Sequence, residues 1–215
     1  MSENLIEEQY DITRKSKIKK FYESNKILIF SSILVLIVLI GLSFVYLEKK
    51  NQKRILLSES YIQAKFYLSE GNKNEALNLL KDVTLANDST YSALSFFLII
   101  DQNLISDFKE LSNLYDHLIE NNKFDQEMKN LLIYKKALFN SNYVDEFELL
   151  SNTKPLLQDN TLWKPHALML LGDYFLSKGE KIKSIEFYQQ ILSIKNLHPT
   201  MYEKAKSNLA SIANE

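Results

Sequence analysis

The chain has 215 residues, 46% hydrophobic and 25% charged, with a formal net charge of −1 and no cysteine. The missing cysteine excludes disulfide frameworks, thiolate metal sites and cysteine nucleophiles. Four Gly and three Pro disfavour turn-rich sheets and flexible linkers alike, which leaves long helices with short connections.

The first 26 residues are a charged tail, and the element after it dominates the chain. From Ile27 to Leu47 no charge occurs; Lys26 precedes the run and Glu48-Lys49-Lys50 follow it. At roughly 1.5 Å per residue the run makes a helix of about 31 Å, against a hydrocarbon core of about 30 Å. Ser31, Ser32, Gly41 and Ser43 are small, and a spanning helix tolerates hydroxyls that bond to its own carbonyls. A cleavable signal has an apolar region of about 7 to 15 residues and a small-x-small site. This run is longer and ends in Phe44-Val45-Tyr46-Leu47. A core helix would keep a polar face, and none is visible. The pattern predicts an uncleaved transmembrane helix at 27–47, a tail at 1–26 and a domain at 48–215.

Arg14, Lys15, Lys17, Lys19, Lys20 and Lys26 flank the run on its N-terminal side; Lys49, Lys50, Lys53 and Arg54 flank it on the other. This modest asymmetry favours a cytoplasmic N-terminus and a C-terminal domain across the membrane. Basic residues at 49–54 stand at headgroup level, where they anchor a helix end.

From Ile55 onward, 16 Lys and Arg face 21 Asp and Glu, the wrong sign for a nucleic-acid partner. Helices are expected near 48–70, 73–86, 90–104, 107–121, 125–140, 143–157, 162–178, 181–195 and 199–213. Ser106, Asn142, Thr161 and His198-Pro199 offer starts, because short polar side chains cap free N–H groups and Pro suits a first turn. With no Gly or Pro from Leu47 to Ser69, the span is expected to run unbroken into the first domain helix.

The domain repeats itself. Phe66-Tyr67-Leu68-Ser69-Glu70-Gly71-Asn72-Lys73 returns 108 residues later as Tyr174-Phe175-Leu176-Ser177-Lys178-Gly179-Glu180-Lys181. Around each glycine Ala64 matches Gly172, Tyr67 matches Phe175, Ala76 matches Ser184, Leu80 matches Tyr188 and Val83 matches Ile191. This is the spacing of a helical hairpin. A small residue lets the second helix approach, an aromatic fills the gap, and glycine reverses the chain without a Cβ clash. Between the two copies, Leu111, Tyr115 and Leu118 form one predicted stripe, and Tyr134, Ala137, Phe147 and Leu150 another.

These residues resemble the tetratricopeptide repeat, a 34-residue helix-turn-helix unit. Pro165 to His198 is the best copy, with Leu168, Leu171-Gly172, Phe175, Gly179, Ser184, Tyr188 and Ile191 at the motif positions. The 108-residue offset exceeds three such units by about six, so some connections must be longer than the consensus. The fold expected is all-α: one transmembrane helix, then a tetratricopeptide-like solenoid. The order of tail, span, polar linker and Tyr61-Ile62-Gln63-Ala64, with Leu171 to Lys181, is similar to the YfgM-like ancillary subunit family of the bacterial SecYEG translocon. The chain departs from it in being poor in alanine and in lacking tryptophan within the span. The resemblance implies a single-pass inner-membrane protein whose periplasmic domain associates with translocon subunits, periplasmic chaperones or emerging chains.

No catalytic constellation is visible. His117, His166 and His198 are far apart, without a second ligand at the spacing of a helical zinc site. Asp173 lacks a partner base, and Asp145-Glu146 with Glu148 is read as a solvated helix face. Gly-rich phosphate loops and Gly-x-Ser-x-Gly elbows are absent. The chain is therefore expected to be no enzyme and to use no cofactor, metal or small-molecule substrate. Trp163 suits either inter-repeat packing or a partner anchor. The competing functional expectation is a structural envelope protein that self-associates or spaces cell-division machinery.

Overall fold

The computed structural model describes residues 2–158 and 161–214, with side chains from 19 onward. Among these residues the chain is helical, with no strand: α1 Ser2–Ser69, α2 Lys73–Thr84, α3 Tyr91–Asp101, α4 Phe108–Asn121, α5 Gln126–Asn140, α6 Glu146–Thr153, a 3-10 segment Lys154–Leu157, α7 Lys164–Ser177, α8 Lys181–Leu192 and α9 Pro199–Ala213. The chain divides into two compact units, Met1–Leu56 and Leu57–Glu215. Residues 48–56 thus group with the apolar helix.

In the first unit α1 is interrupted only at Asn25, whose φ of −116° and ψ of 17° are not helical. From there to Ser69 no other residue leaves helical geometry, and over 47–69 this is the unbroken run that the missing Gly and Pro predict. Ser31 and Ser32 both donate to the Leu28 carbonyl, at 3.0 and 2.7 Å, so these hydroxyls are satisfied within the helix. Every residue from 30 to 56 is exposed. The helix is long and apolar enough to cross a membrane, by length and composition.

In the second unit, elements pack on their neighbours along the chain. Ala64, Ala76, Leu80, Phe96, Ile99, Leu118 and Leu132 form one core. Ala137, Leu149, Leu171 and Phe175 form the next, and Leu168, Tyr188, Ile191 and Ala205 the third. The period is regular. Second helices begin at Lys73, Phe108, Glu146 and Lys181, at intervals of 35, 38 and 35 residues; first helices begin at Tyr91, Gln126, Lys164 and Pro199, at the same intervals. The excess over 34-residue units therefore falls mostly between the second and third.

Side-chain caps set four of the helix starts. Asp107, Asp125 and Asp145 accept from the backbone N–H of Glu110, Met128 and Glu148 at 2.6, 2.7 and 2.9 Å, each satisfying one orphan donor of a first turn. His198 Nδ1 accepts from the Thr200 N–H at 3.3 Å, with Pro199 as the first helical residue. Three predicted starts move, Thr161 among them, since α7 begins at Lys164 after an uncapped Trp163. Asp107, not Ser106, caps α4. Asn142 caps nothing, because the N–H groups of Tyr143 and Val144 still bond back to the Asn140 carbonyl and α6 waits for Asp145.

That delay changes a predicted face. Phe147 is 82% exposed, while Leu149, Thr153 and Leu156 are fully buried. The predicted helix 143–157 also splits, with Pro155 inside the 3-10 segment that follows Thr153. Proline lacks the N–H an α-helix needs there and clashes with the carbonyl four residues back.

Candidate functional site

The residues paired by the 108-residue offset occupy equivalent places. Ala64, Ala76, Leu80 and Val83 are buried in the first hairpin, with Tyr67 half-buried against the core. In the later hairpin Leu168, Leu171, Gly172, Phe175, Ser184, Tyr188 and Ile191 are all buried. The glycines close the turns: Gly71 has φ +82° and Gly179 φ +79°. Asn72 N–H bonds the Tyr67 carbonyl and Glu180 N–H the Phe175 carbonyl, both at 2.9 Å. Each is the six-to-one bond of a helix ending on a left-handed residue. A third closure uses Asn103, φ +49°, with Leu104 N–H on the Ile99 carbonyl at 3.0 Å. The sequence reading missed it, although an asparagine just past an apolar helix is the available signal.

Gly172 has a second task. A Cβ there would lie 2.5 Å from Tyr188 Cε1, so the tyrosine ring rests directly on the α7 backbone. Ser184 Oγ donates to the Gly172 carbonyl at 2.9 Å, and Tyr188 donates its hydroxyl to Asp173 Oδ1 at 2.6 Å. Burial, then that bond, pushes the Tyr188 hydroxyl up to about 12. Asn208 Nδ2 reaches the same carboxylate oxygen at 3.3 Å, so Asp173 joins α7, α8 and α9.

The open surface holds three features. A groove of about 440 Å³ is lined by Tyr61, Leu94, Phe97, Leu98, Asp101 and Lys135, with Lys135 Nζ 5.9 Å from the Phe97 ring centre. Its apolar wall comes from α3, a helix too uniformly apolar to bury every side, which is the signal that could have located it. Further along, Tyr134, Trp163 and His166 cluster with ring centres 5.5 to 5.7 Å apart, and Trp163 Nε1 donates to Glu127 at 3.0 Å. Trp163 is thus half-buried packing between α5 and α7. Burial, then the charge of Lys204, lowers the His166 pKa; burial, then Asp173, raises that of Tyr134. A separate cleft of about 380 Å³ lies between residues 161–166 and 194–201, with Lys164, Lys195 and His198 on its walls.

The histidines are not brought together. His117 Nε2 bonds Asn87 Oδ1 at 2.8 Å, His166 stacks and His198 caps. Among the described residues no three His, Cys, Asp or Glu are grouped to hold a metal. Asp145, Glu146 and Glu148 are more than a solvated face: Asp145 caps, and Glu146 accepts from Lys183 of α8 at 2.8 Å.

No family model, curated protein or solved structure matches this chain. What the surface can do follows from its chemistry. It offers shallow apolar and aromatic relief with scattered charge, which suits grasping a polypeptide segment.

Proposed function

We propose that the chain is a membrane-anchored protein-binding scaffold without bond-making chemistry. In this reading 27–47 is a single transmembrane helix, and the hairpins are a tetratricopeptide-like solenoid whose groove along α3 and α5 grips other proteins. The resemblance to the YfgM-like family supplies the setting: an inner-membrane protein ancillary to the Sec translocon, its domain periplasmic, linking translocon subunits to periplasmic chaperones or emerging chains. The charge asymmetry across the run supports that orientation.

The observation that carries the reading is a helix with no residue buried from 30 to 56, joined to a domain of sequential hairpins. Apolar area stabilises folding at about 25 cal/mol per Å² only when it leaves water, and here a bilayer is what removes it. Anchoring also raises effective concentration, so a weak groove contact suffices for capture. Carbonate extraction should leave the chain in membranes. Protease added to intact spheroplasts should digest the domain, and crosslinking before detergent extraction should recover translocon or chaperone subunits. A domain resistant until lysis would place it in the cytoplasm and defeat the proposal.

A structural role is the second reading, favoured by Phe147 and Ile182, 82% and 76% exposed beside the Glu146–Lys183 pair. It requires discrete oligomers of the full chain in detergent, and Phe147→Ser with Ile182→Ser should dissolve them.

A further inference from the structure

The sign of charge in the tail changes once. Glu3, Glu7, Glu8 and Asp11 come first; Arg14, Lys15, Lys17, Lys19, Lys20 and Lys26 follow, with Glu23 the one acid among them. The basic half adjoins the apolar run. At helical spacing residues 18, 21 and 22 share a face, and 15, 17 and 19 border it on both sides. Phe21 is 65% exposed and Tyr22 44%, so both aromatic rings on that face present open surface.

The break in α1 falls at the junction. Asn25 leaves helical geometry two residues before the charge-free run, and its Nδ2 donates to the Phe21 carbonyl at 3.0 Å. Asparagine bonds its own neighbouring backbone in place of the helix ladder, so it terminates one helical segment and starts another cheaply. An unbroken helix would carry the tail away from a bilayer along the span's own axis. A bend at Asn25 lets it lie along the surface instead.

We propose that residues 14–25 form an interfacial helix that binds anionic phospholipid headgroups, with Ile18, Phe21 and Tyr22 seated at the acyl boundary and the flanking lysines on the phosphates. An apolar stripe bordered by basic residues, preceded by an acidic stretch that the same surface repels, fits an anionic lipid layer. Each Lys or Arg close to such a surface strengthens attachment roughly fivefold. Aromatic rings with a polar edge favour this depth. The device fixes the span's N-terminal end and couples its depth to lipid charge. It rests on the reading of 27–47 as a transmembrane helix.

The test uses the absence of cysteine. Full-length chain carrying a nitroxide at Ile18→Cys, or separately at Leu36→Cys, is reconstituted into phosphatidylcholine vesicles and into vesicles with roughly one third phosphatidylglycerol. The Leu36 label reports the span and should be shielded from a water-soluble nickel chelate in both. The Ile18 label should be accessible in phosphatidylcholine and shielded about tenfold or more once phosphatidylglycerol is present. Combined Lys15→Gln, Lys17→Gln, Lys19→Gln and Lys20→Gln should restore access. A shielded Leu36 label with an Ile18 label open in both lipids overturns the interfacial helix and leaves the span standing. Shielding at Ile18 that ignores lipid charge and the four substitutions overturns the headgroup assignment. An accessible Leu36 label overturns the span and this proposal with it.

Discussion

Tyr188 fills the space that a side chain at residue 172 would need. Gly172→Ala drives a methyl into its ring, and overpacking of this kind destabilises by about 1–3 kcal/mol. The first hairpin shows another solution at the same two places, Ala64 with Leu80, both fully buried. Gly172→Ala combined with Tyr188→Leu should therefore lose less than the two single changes added. A coupling above about 0.5 kcal/mol is expected from urea unfolding of the full chain in detergent, followed by Trp163 fluorescence. Simple additivity would mean the two positions do not compensate.

His166 gives a second residue-scale expectation, because its ring packs on Trp163, the single tryptophan. Burial and Lys204 hold its pKa below the ordinary 6.5, so the unfolded chain binds the proton more readily than the folded one. The stability this group contributes is complete above pH 6.5 and is lost as pH falls through the lower folded value. Trp163 emission should titrate with a midpoint below 6.5, and Lys204→Gln should move it upward. A midpoint at or above 6.5 would contradict the depressed value.

At the scale of elements, the helices follow from hydrophobic period and the absence of Gly and Pro, which is why nine predicted segments appear near their places. Their edges depend on subtler competition. Asn142 is the expected start, with Asp145 read as part of a solvated face, but the preceding helix keeps its hydrogen bonds through Val144, and only then is a capping carboxylate useful. From that late start Leu149 turns inward and Phe147 outward. The groove was missed although α3 is apolar on every side, because a stripe says which side of a helix is apolar, not which apolar residues find no neighbour. Left-handed Asn87, Asn103 and Asn196 were hidden for a related reason, since asparagine suits several turn geometries. The distinction is measurable in α6, which is only eight residues long. Asp145→Ala should cost about 0.5–2 kcal/mol. Asn142→Ala, at an exposed position with no capping bond, should stay within about 0.5 kcal/mol.

At the scale of the molecule, the hairpin unit has three cores in succession, the first two meeting at α5 and the last two at α7. On the solenoid reading proposed above, stability is close to a sum of unit and nearest-neighbour contributions, so damage is felt locally. A single-core globule would spread the same damage over every helix. Gly172→Ala separates these cases by hydrogen exchange of the full chain in detergent. Faster exchange is expected in α7, α8 and α9, where Tyr188, Ile191 and Ala205 share one core. Protection in α2 and α3 should be unchanged, because their core around Leu80 and Phe96 contains no residue of α7. Uniform acceleration from α2 to α9 would show one cooperative block. That result would also weaken the groove along α3 and α5 as an independent binding surface, since a partner there would then sense strain introduced at α7.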